Sequence, residues 1–547
     1  MEIETISKLE KEALKTSRTD FTRIGFALFF MIGVLTYTFL SNGGISNNMF
    51  LAIAALIGAY MAMNIGANDV ANNVGPAVGS RAMTLTMAIV IAAIFEAAGA
   101  LIAGGEVVKT IKKGIIDISA FGGNADPFIW AMMAALLAAA LWLNFATAMK
   151  APVSTTHSIV GGVMGAGIAA AGFSIVSWGT MAKIAASWVI SPVLGGIIAA
   201  AFLFAIKKSI IFKEDKIKAA KQYVPIFVAL MSWAFVTYLV LKGLKKIWPH
   251  VVEILNIIPL VSIEMTKKPS FLTALIIGAI IGVGVYFILK AKLASKSEMK
   301  NSKEAVNTLF TIPLIFAAAL LSFAHGANDV ANAIGPLAAI NDAVVNGGIS
   351  SKASIPLWVM GVGAFGIAIG LALYGPKLIK TVGSEITELD QVRAFSIAMA
   401  ASITVIIASQ LGLPVSSTHI AIGGVFGVGF LREYLHLTET TNTIEEDKEL
   451  IEDEKHTLNK LKSELKSLTS QKEKDVKDYK RIVELYQLIE KEEKLIKSAK
   501  KHIKRVQKVQ YVKRDAIKKI IAAWVITVPA AAVLAALLFF TIRGIML

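Results

Sequence analysis

Two aspartates sit in apolar surroundings inside nearly identical strings. Asp69 lies in "NIGANDVANNVGPAVGS" (Asn64 to Ser80) and Asp329 in "AHGANDVANAIGPLAAI" (Ala324 to Ile340). An ionisable side chain inside a membrane segment costs about 2.5–3.5 kcal/mol or more and marks a functional site by default. Two in matched strings point to a shared site that holds a cation, or an anion together with one. A second pair of strings supplies donors. "APVSTTH" ends at His157, 88 residues after Asp69, and "LPVSSTH" ends at His419, 90 residues after Asp329. Each sets a proline before a run of hydroxyls, Ser154, Thr155 and Thr156 in one and Ser416, Ser417 and Thr418 in the other, and a glycine-rich run follows. Proline suits the first turn of a helix. The unpaired amides and positive dipole end of that turn favour an anion, while the hydroxyls also cap it. Two such turns brought together cradle a small tetrahedral oxyanion. His157 and His419 either ligate or gate, or simply bond backbone.

The elements that position these residues are membrane helices. The chain has 547 residues, 55% hydrophobic, with a mean hydropathy of +0.64, and this predicts an all-α integral membrane protein. Thirteen apolar runs are counted as single crossings: 24–40, 49–65, 85–103, 128–149, 152–172, 181–206, 224–241, 271–289, 306–325, 355–374, 394–412, 414–431 and 520–540. Glycine and proline around each aspartate (Gly66 with Gly75-Pro76, Gly326 with Gly335-Pro336) favour helices that break within the membrane. Cysteine is absent, which excludes disulfides and thiolate chemistry. No removable signal peptide is read at the N-terminus. The net charge of +16 sits largely in connectors such as Lys207 to Gln222 and Lys290 to Lys303. These are cytoplasmic by the positive-inside rule, so the charge is no sign of nucleic acid.

Starting inside, the count leaves both basic connectors inside and runs the segment before each "GANDV" in opposite directions. The two copies are therefore expected as inverted-topology repeats with broken or re-entrant helices. "IAASWVISP" and "IIAAWVITVP" form a third matched pair. From His157 to Trp188 is 31 residues, but from His419 to Trp524 is 105, so the second copy carries an insertion of 74. There the chain is rich in Lys and Glu. Ile451, Leu458, Leu461, Leu465 and Leu468 fall on a 3,4 spacing, as do Ile482, Leu485, Ile489, Ile496, Ala499, Ile503 and Val506, with Glu492 in the seam. This predicts a cytoplasmic antiparallel coiled-coil hairpin turning near "TSQKEKDVKD". The expected organisation is a cytoplasmic segment 1–22, repeat one 23–206, a linker with one membrane helix 207–269, repeat two 270–435, the insertion 436–517 and a last helix 518–547.

"GANDVANNVGPAVGS" with "PVSTTH", repeated as "GANDVANAIGP" with "PVSSTH", resembles the inorganic phosphate transporter (Pit) family of cation-coupled phosphate permeases. "IFEAAGA" (Ile94 to Ala100) and "KTIKKGIID" (Lys109 to Asp117) add to the match. The resemblance implies phosphate uptake coupled to sodium or, in some members, to protons. It implies essential roles for Asp69 and Asp329 and phosphate and cation binding by Asn68, Asn72, Asn328 and Asn332. Glu96 matches a functional glutamate. A second glutamate frequent in the family falls in "FSIAMAAS", where this chain has Ala398. Asp69, Ser154, Thr155, Thr156, Asp329, Ser416, Ser417, Thr418, Asn68 and Asn328 are the expected phosphate ligands. Asp69, Asn72, Glu96, Asp329, Asn332 and Asn144 are the expected sodium ligands. The other expected partners are the lipid bilayer and a second copy in a homodimer. The expected location is a bacterial or archaeal cell membrane, with no cofactor beyond the transported ion.

Charge dictates the coupling. Hydrogen phosphate carries a charge near −2 at neutral pH, and two ionised aspartates would double it in a low dielectric. Cations entering with the anion neutralise the site, so each binds better when the other is present. A divalent anion entering against 100 mV costs about 4.6 kcal/mol, which two monovalent cations cancel. A carboxylate that accepts the proton of hydrogen phosphate would also discriminate against sulfate, which has none to give. A sulfate or other oxyanion permease is the alternative within transport. An anion channel is disfavoured by the carboxylates, and a Ser154–His157 hydrolase lacks an orienting acid and an oxyanion hole. A sensor acting through the coiled coil is the remaining reading.

Overall fold

A computed structural model describes residues 2–43, 48–122, 124–149, 153–245, 247–257, 263–295, 299–346, 355–385, 389–471, 476–507, 511–512 and 514–547. Pro152 and the expected turn at 472–475 lie outside these residues, as do the side chains of Val506 and Trp524. The described chain is helical: α1 (Glu2–Ser41), α2 (Asn48–Gly79), α3 (Leu85–Ala103), α4 (Gly105–Lys113), α5 (Ala125–Ala148), α6 (Thr155–Ala171), α7 (Trp178–Ile206), α8 (Lys216–Gly243) and α9 (Trp248–Leu255). There follow α10 (Phe271–Ala294), α11 (Lys303–Leu309), α12 (Thr311–Val345), α13 (Leu357–Glu385), α14 (Gln391–Gln410), α15 (Ser417–Ser470), α16 (Val476–Gln507) and α17 (Arg514–Met546). Two compact units result, one of residues 1–428 with 514–547, the other of residues 429–513.

Among the described residues, eleven helices are long and apolar enough to cross a membrane, making this a multi-pass membrane protein. The expected segments 152–172 and 414–431 are not among them. α6 has 17 residues, about 25 Å of helix, short of a hydrocarbon core of about 30 Å. Polar sequence overtakes α15 soon after its apolar start. Both helices begin where the chain is irregular, at Val153–Ser154 and Leu413–Ser416, next to the hydroxyl runs.

The expected break at the aspartates does not occur. α2 runs unbroken through Gly66, Asp69 and Pro76, and α12 through Gly326, Asp329 and Pro336. The glycines serve close packing instead. A Cβ at Gly66 would fall 2.0 Å from the Ile367 carbonyl oxygen, and one at Gly326 would fall 2.1 Å from that of Glu96. α2 is thereby pressed against α13, and α12 against α3, in two matching crossings. The prolines act more locally, since each removes the amide that would bond the carbonyl four residues back. Those carbonyls belong to Asn72 and Asn332. The residue that stands to α2 as Glu96 stands to α12 is Ile367, so the place without a second carboxylate lies on α13. Ala398, on α14, is a buried packing residue.

In the second unit α16 runs antiparallel to the polar part of α15. His502 meets Asp447 at 2.6 Å, Lys462 meets Glu493 at 2.7 Å and Arg481 meets Glu464 at 2.9 Å. Ile451, Ile496 and Ala499 are buried together, with Leu458 and Ile503 packed against them. Glu492 shares a hydrogen bond with Glu454, which holds the Glu454 carboxyl above its ordinary range.

Candidate functional site

The two aspartate helices and the two hydroxyl turns meet at one buried point. Asp69 is 0% exposed and Asp329 1%. Thr155 donates its hydroxyl to Asp69 Oδ2 at 2.9 Å and lies 3.3 Å from Asp329 Oδ2. Ser417 reaches Asp329 Oδ2 at 3.4 Å, the counterpart of the Thr155–Asp69 bond. Thr418 reaches across to Asp69 Oδ1 at 3.2 Å. The asparagines cross as well. Asn72 donates to Thr418 at 2.8 Å, and Asn332 donates to Thr156 at 3.1 Å. Each motif copy therefore contributes an aspartate, an asparagine and a helix N-terminus, tied to their counterparts in the other copy.

Other expected ligands hold the turns in place. Ser154 and Ser416 are N-caps, accepting from the amides of His157 at 3.1 Å and His419 at 3.3 Å. Thr156 donates to the Val415 carbonyl at 2.9 Å, linking the two turns. Asn328 donates to Ser409 at 2.9 Å and to the Leu413 carbonyl at 3.3 Å. Asn68 pairs with Thr147 at 2.9 Å, the matching contact. In the amide orientation that satisfies both ends of Asn68, its nitrogen donates to Asp69 Oδ1 and to the Val153 carbonyl. His157 and His419 pack edge to face, 4.5 Å between ring centroids, with Trp188 against His157 at 3.8 Å. The Trp188 indole donates to the Pro414 carbonyl.

Asn144 stands apart from the carboxylates. It donates to Asn64 at 3.4 Å and lines a cavity of about 540 Å³ with Asn64, Thr147, Tyr60 and Tyr374. α1 closes this cavity with Ile24, Ala27, Leu28 and Met31.

One central residue was not among the expected ligands. His325 is 0% exposed and touches three carboxylates: Asp329 Oδ2 at 3.2 Å and Asp69 Oδ2 at 3.6 Å through Nε2, and Glu96 Oε2 at 3.3 Å through Nδ1. Glu96 Oε1 accepts from Asn73 at 2.8 Å. One ligand atom each from Asp69, His325 and Asp329 lies within 4.8 Å of the others, a grouping that can hold a cation. The signal lay in comparing the copies, since His325 occupies the place of Ile65. An imidazolium here would donate from both nitrogens and offset one carboxylate, whereas glutamine keeps a donor and no charge. His325→Gln is therefore expected to weaken an anion bound at the neighbouring turns and to strengthen a cation bound at the carboxylates, each on the order of tenfold. Equilibrium binding titrated with both ions checks this, and two unchanged constants would remove the imidazole from the charge balance.

Helix N-termini aimed at buried carboxylates, within crossed helices of a multi-pass protein, are the features of a membrane transporter. The comparisons with known proteins give the family. The phosphate transporter family model matches residues 65–535, and the chain belongs to that family, whose members are permeases and not enzymes. A Helicobacter pylori (strain J99) protein named "Putative phosphate permease" is 49% identical over 545 residues, covering 98% of each chain. A Haemophilus influenzae protein of the same name is 38% identical over 395 residues, 72% of this chain and 91% of its own. A solved structure described as the sodium-dependent phosphate transporter matches with a TM-score of 0.66 at 30% identity, covering 91% of this chain and 99% of that one.

Proposed function

We propose that the protein imports inorganic phosphate by symport with sodium, by alternating access around the Asp69–Asp329 site. The observation that carries this is the pairing of two anion-favouring helix N-termini with two buried aspartates. Neither half is stable with its ion alone in a dry site, so anion and cation stabilise one another. Phosphate oxygens are received by the first-turn amides and hydroxyls at Thr155, Thr156, Ser417 and Thr418. Sodium is received by Asp69, Asp329 and the Asn72 and Asn332 carbonyls released by the prolines, with Glu96 behind them. Asp329 Oδ1 has no protein donor among the described residues, which suits it to accept the proton of hydrogen phosphate and to disfavour sulfate. The matched crossings of α2 on α13 and α12 on α3 support reading the two copies as inverted repeats, the arrangement by which one site faces each side in turn. The relatives' bacterial sources agree with a cell-membrane location.

Labelled phosphate uptake into proteoliposomes tests the reading, with an inward sodium gradient, an inward proton gradient or neither, and excess sulfate in parallel. Uptake that requires sodium and ignores sulfate is the expected result. A second reading replaces sodium by protons, and the observation favouring it is His325 among three carboxylates. Uptake driven by the proton gradient alone would establish it. Transport of sulfate in place of phosphate would overturn both.

The unit of residues 429–513 is an antiparallel coiled-coil hairpin on this reading, accessory to transport. Leu485 is 0% exposed within it, and a carboxylate there costs several kcal/mol. Leu485→Asp is expected to expose the unit to protease while sodium-driven uptake stays within about twofold of the parent. An uptake loss on the scale of the aspartate variants would make the unit part of the transport cycle.

A further inference from the structure

A group of basic side chains beside the binding turns has no part in the site described above. Glu106, on α4, is contacted by Lys245 at 3.0 Å, by Lys109 at 3.3 Å and by Lys242 at 3.8 Å. Three ammonium groups share one carboxylate, leaving two positive charges unmatched within the cluster. Burial pushes the Glu106 carboxyl up, but the Lys245 hydrogen bond and the charges of Lys242, Lys245 and Lys109 outweigh it and hold the carboxyl at about 2. The carboxylate therefore stays ionised and keeps Lys242, only 12% exposed, at the centre. Lys109 and Lys245 are 63% and 46% exposed and turn toward solvent.

The cluster adjoins the turn that carries Ser416, Ser417 and Thr418. Thr110, one residue after Lys109, donates its hydroxyl to the Gly412 carbonyl at 2.7 Å. Gly412 has a φ of +66°, and a Cβ there would lie 3.8 Å from the Glu106 carbonyl oxygen. The next carbonyl, Leu413, accepts from Asn328, which neighbours Asp329. From the lysines to the site is thus a path of a few residues. Counted from the cytoplasmic N-terminus expected above, the three spans α1, α2 and α3 put α4 on the outer side, and the lysines that contact Glu106 with it, where the positive-inside rule leaves lysines without a topological reason.

We infer that Lys109, Lys242 and Lys245, held by Glu106, form an outer station that gathers a phosphate-type oxyanion and delivers it to the turn at Gly412–Ser416. The inference rests on the uptake reading given above. Two unmatched charges at the mouth of a low-dielectric path raise the local anion concentration and the capture rate, and salt weakens the effect. A lipid headgroup presents the same phosphate chemistry, so the test separates the two sources. The exposed pair is neutralised as Lys109→Gln with Lys245→Gln, leaving Lys242 and Glu106 to pair. Sodium-driven uptake of labelled phosphate is measured in proteoliposomes of purely zwitterionic lipid, at about 0.01 M and about 1 M ionic strength with sodium held constant.

The expected result is a phosphate KM raised on the order of tenfold at low ionic strength, an unchanged kcat, and convergence with the parent at high ionic strength. Glu106→Gln, which adds a net positive charge, is expected to lower KM at low ionic strength. A double variant with the parent's KM at low ionic strength overturns the station. So does a difference that persists at high ionic strength, which marks a structural effect, or one that needs anionic lipid in the vesicles, which assigns the lysines to a headgroup. A parent that takes up no phosphate under a sodium gradient defeats the uptake reading itself, and the station with it.

Discussion

Asp69→Asn and Asp329→Asn each reduce sodium-driven phosphate uptake by about a hundredfold to a thousandfold, the result expected if both carboxylates bind the coupling cation. The substitution keeps the shape and an acceptor oxygen for Thr155, Ser417 or Thr418, so the fold is retained and only the charge is lost. Removing one partner of a buried, hydrogen-bonded charge pair costs about 2–5 kcal/mol, and about 1.4 kcal/mol is a factor of ten. Because His325 Nε2 and the Thr155 hydroxyl touch both carboxylates, the two substitutions couple. The double variant should fall short of the product of the single losses. Initial rates at saturating sodium, with the melting temperature as a control for folding, check this. Uptake within a few-fold of the parent in either single variant would remove that aspartate from the cation site.

Gly326→Val is expected to abolish uptake and to lower the melting temperature, although the residue has no polar side chain and binds nothing. Its Cβ would lie 2.1 Å from the Glu96 carbonyl oxygen and 2.8 Å from the Glu96 Cα, and backbone cannot swing aside as a flexible side chain can. Overpacking of this kind costs about 1–3 kcal/mol, occasionally more. The helices must also part, and α3 then carries Glu96 away from His325 and Asn73. Gly284→Ala is the matching control, since nothing lies within 4 Å of a Cβ there. Thermal unfolding in detergent and uptake in vesicles read the two effects separately. A Gly326→Val protein with the parent's stability would show that α3 and α12 do not require this contact.

The residues that meet at the site were largely legible because the chain writes them twice. Asp69 with Asp329, Asn72 with Asn332, and the two hydroxyl turns each stand out by having a counterpart at matching spacing. Repetition is also why His325 was overlooked. It is polar in one copy where the other has Ile65, so a search for what the copies share passes over it. The glycines misled for a different reason. Gly66 and Gly326 fit a broken helix and a tight helix crossing equally well, and only the partner helix decides between them. Prediction of the turns at Thr155 and Ser417 needed no partner, because proline and N-cap residues act within a few positions of themselves. Asn68 and Asn328 were expected on the ligand, and in the structure their side chains bond Thr147 and Ser409, with Asn328 also on the Leu413 carbonyl. Spacing alone places a side chain near a site without saying which neighbour it bonds.

On the reading proposed above, the aspartates and the helix N-termini form one site in which anion and cation require each other. Equilibrium binding of labelled phosphate to the purified protein, titrated at a series of sodium concentrations, tests it most directly when paired with sodium binding at a series of phosphate concentrations. The expected result is negligible phosphate binding without sodium, and enhancement of each ion's affinity by the other through the same factor, as linkage requires. Phosphate binding of equal affinity with and without sodium, in a protein whose Asp69 and Asp329 are intact, would contradict it.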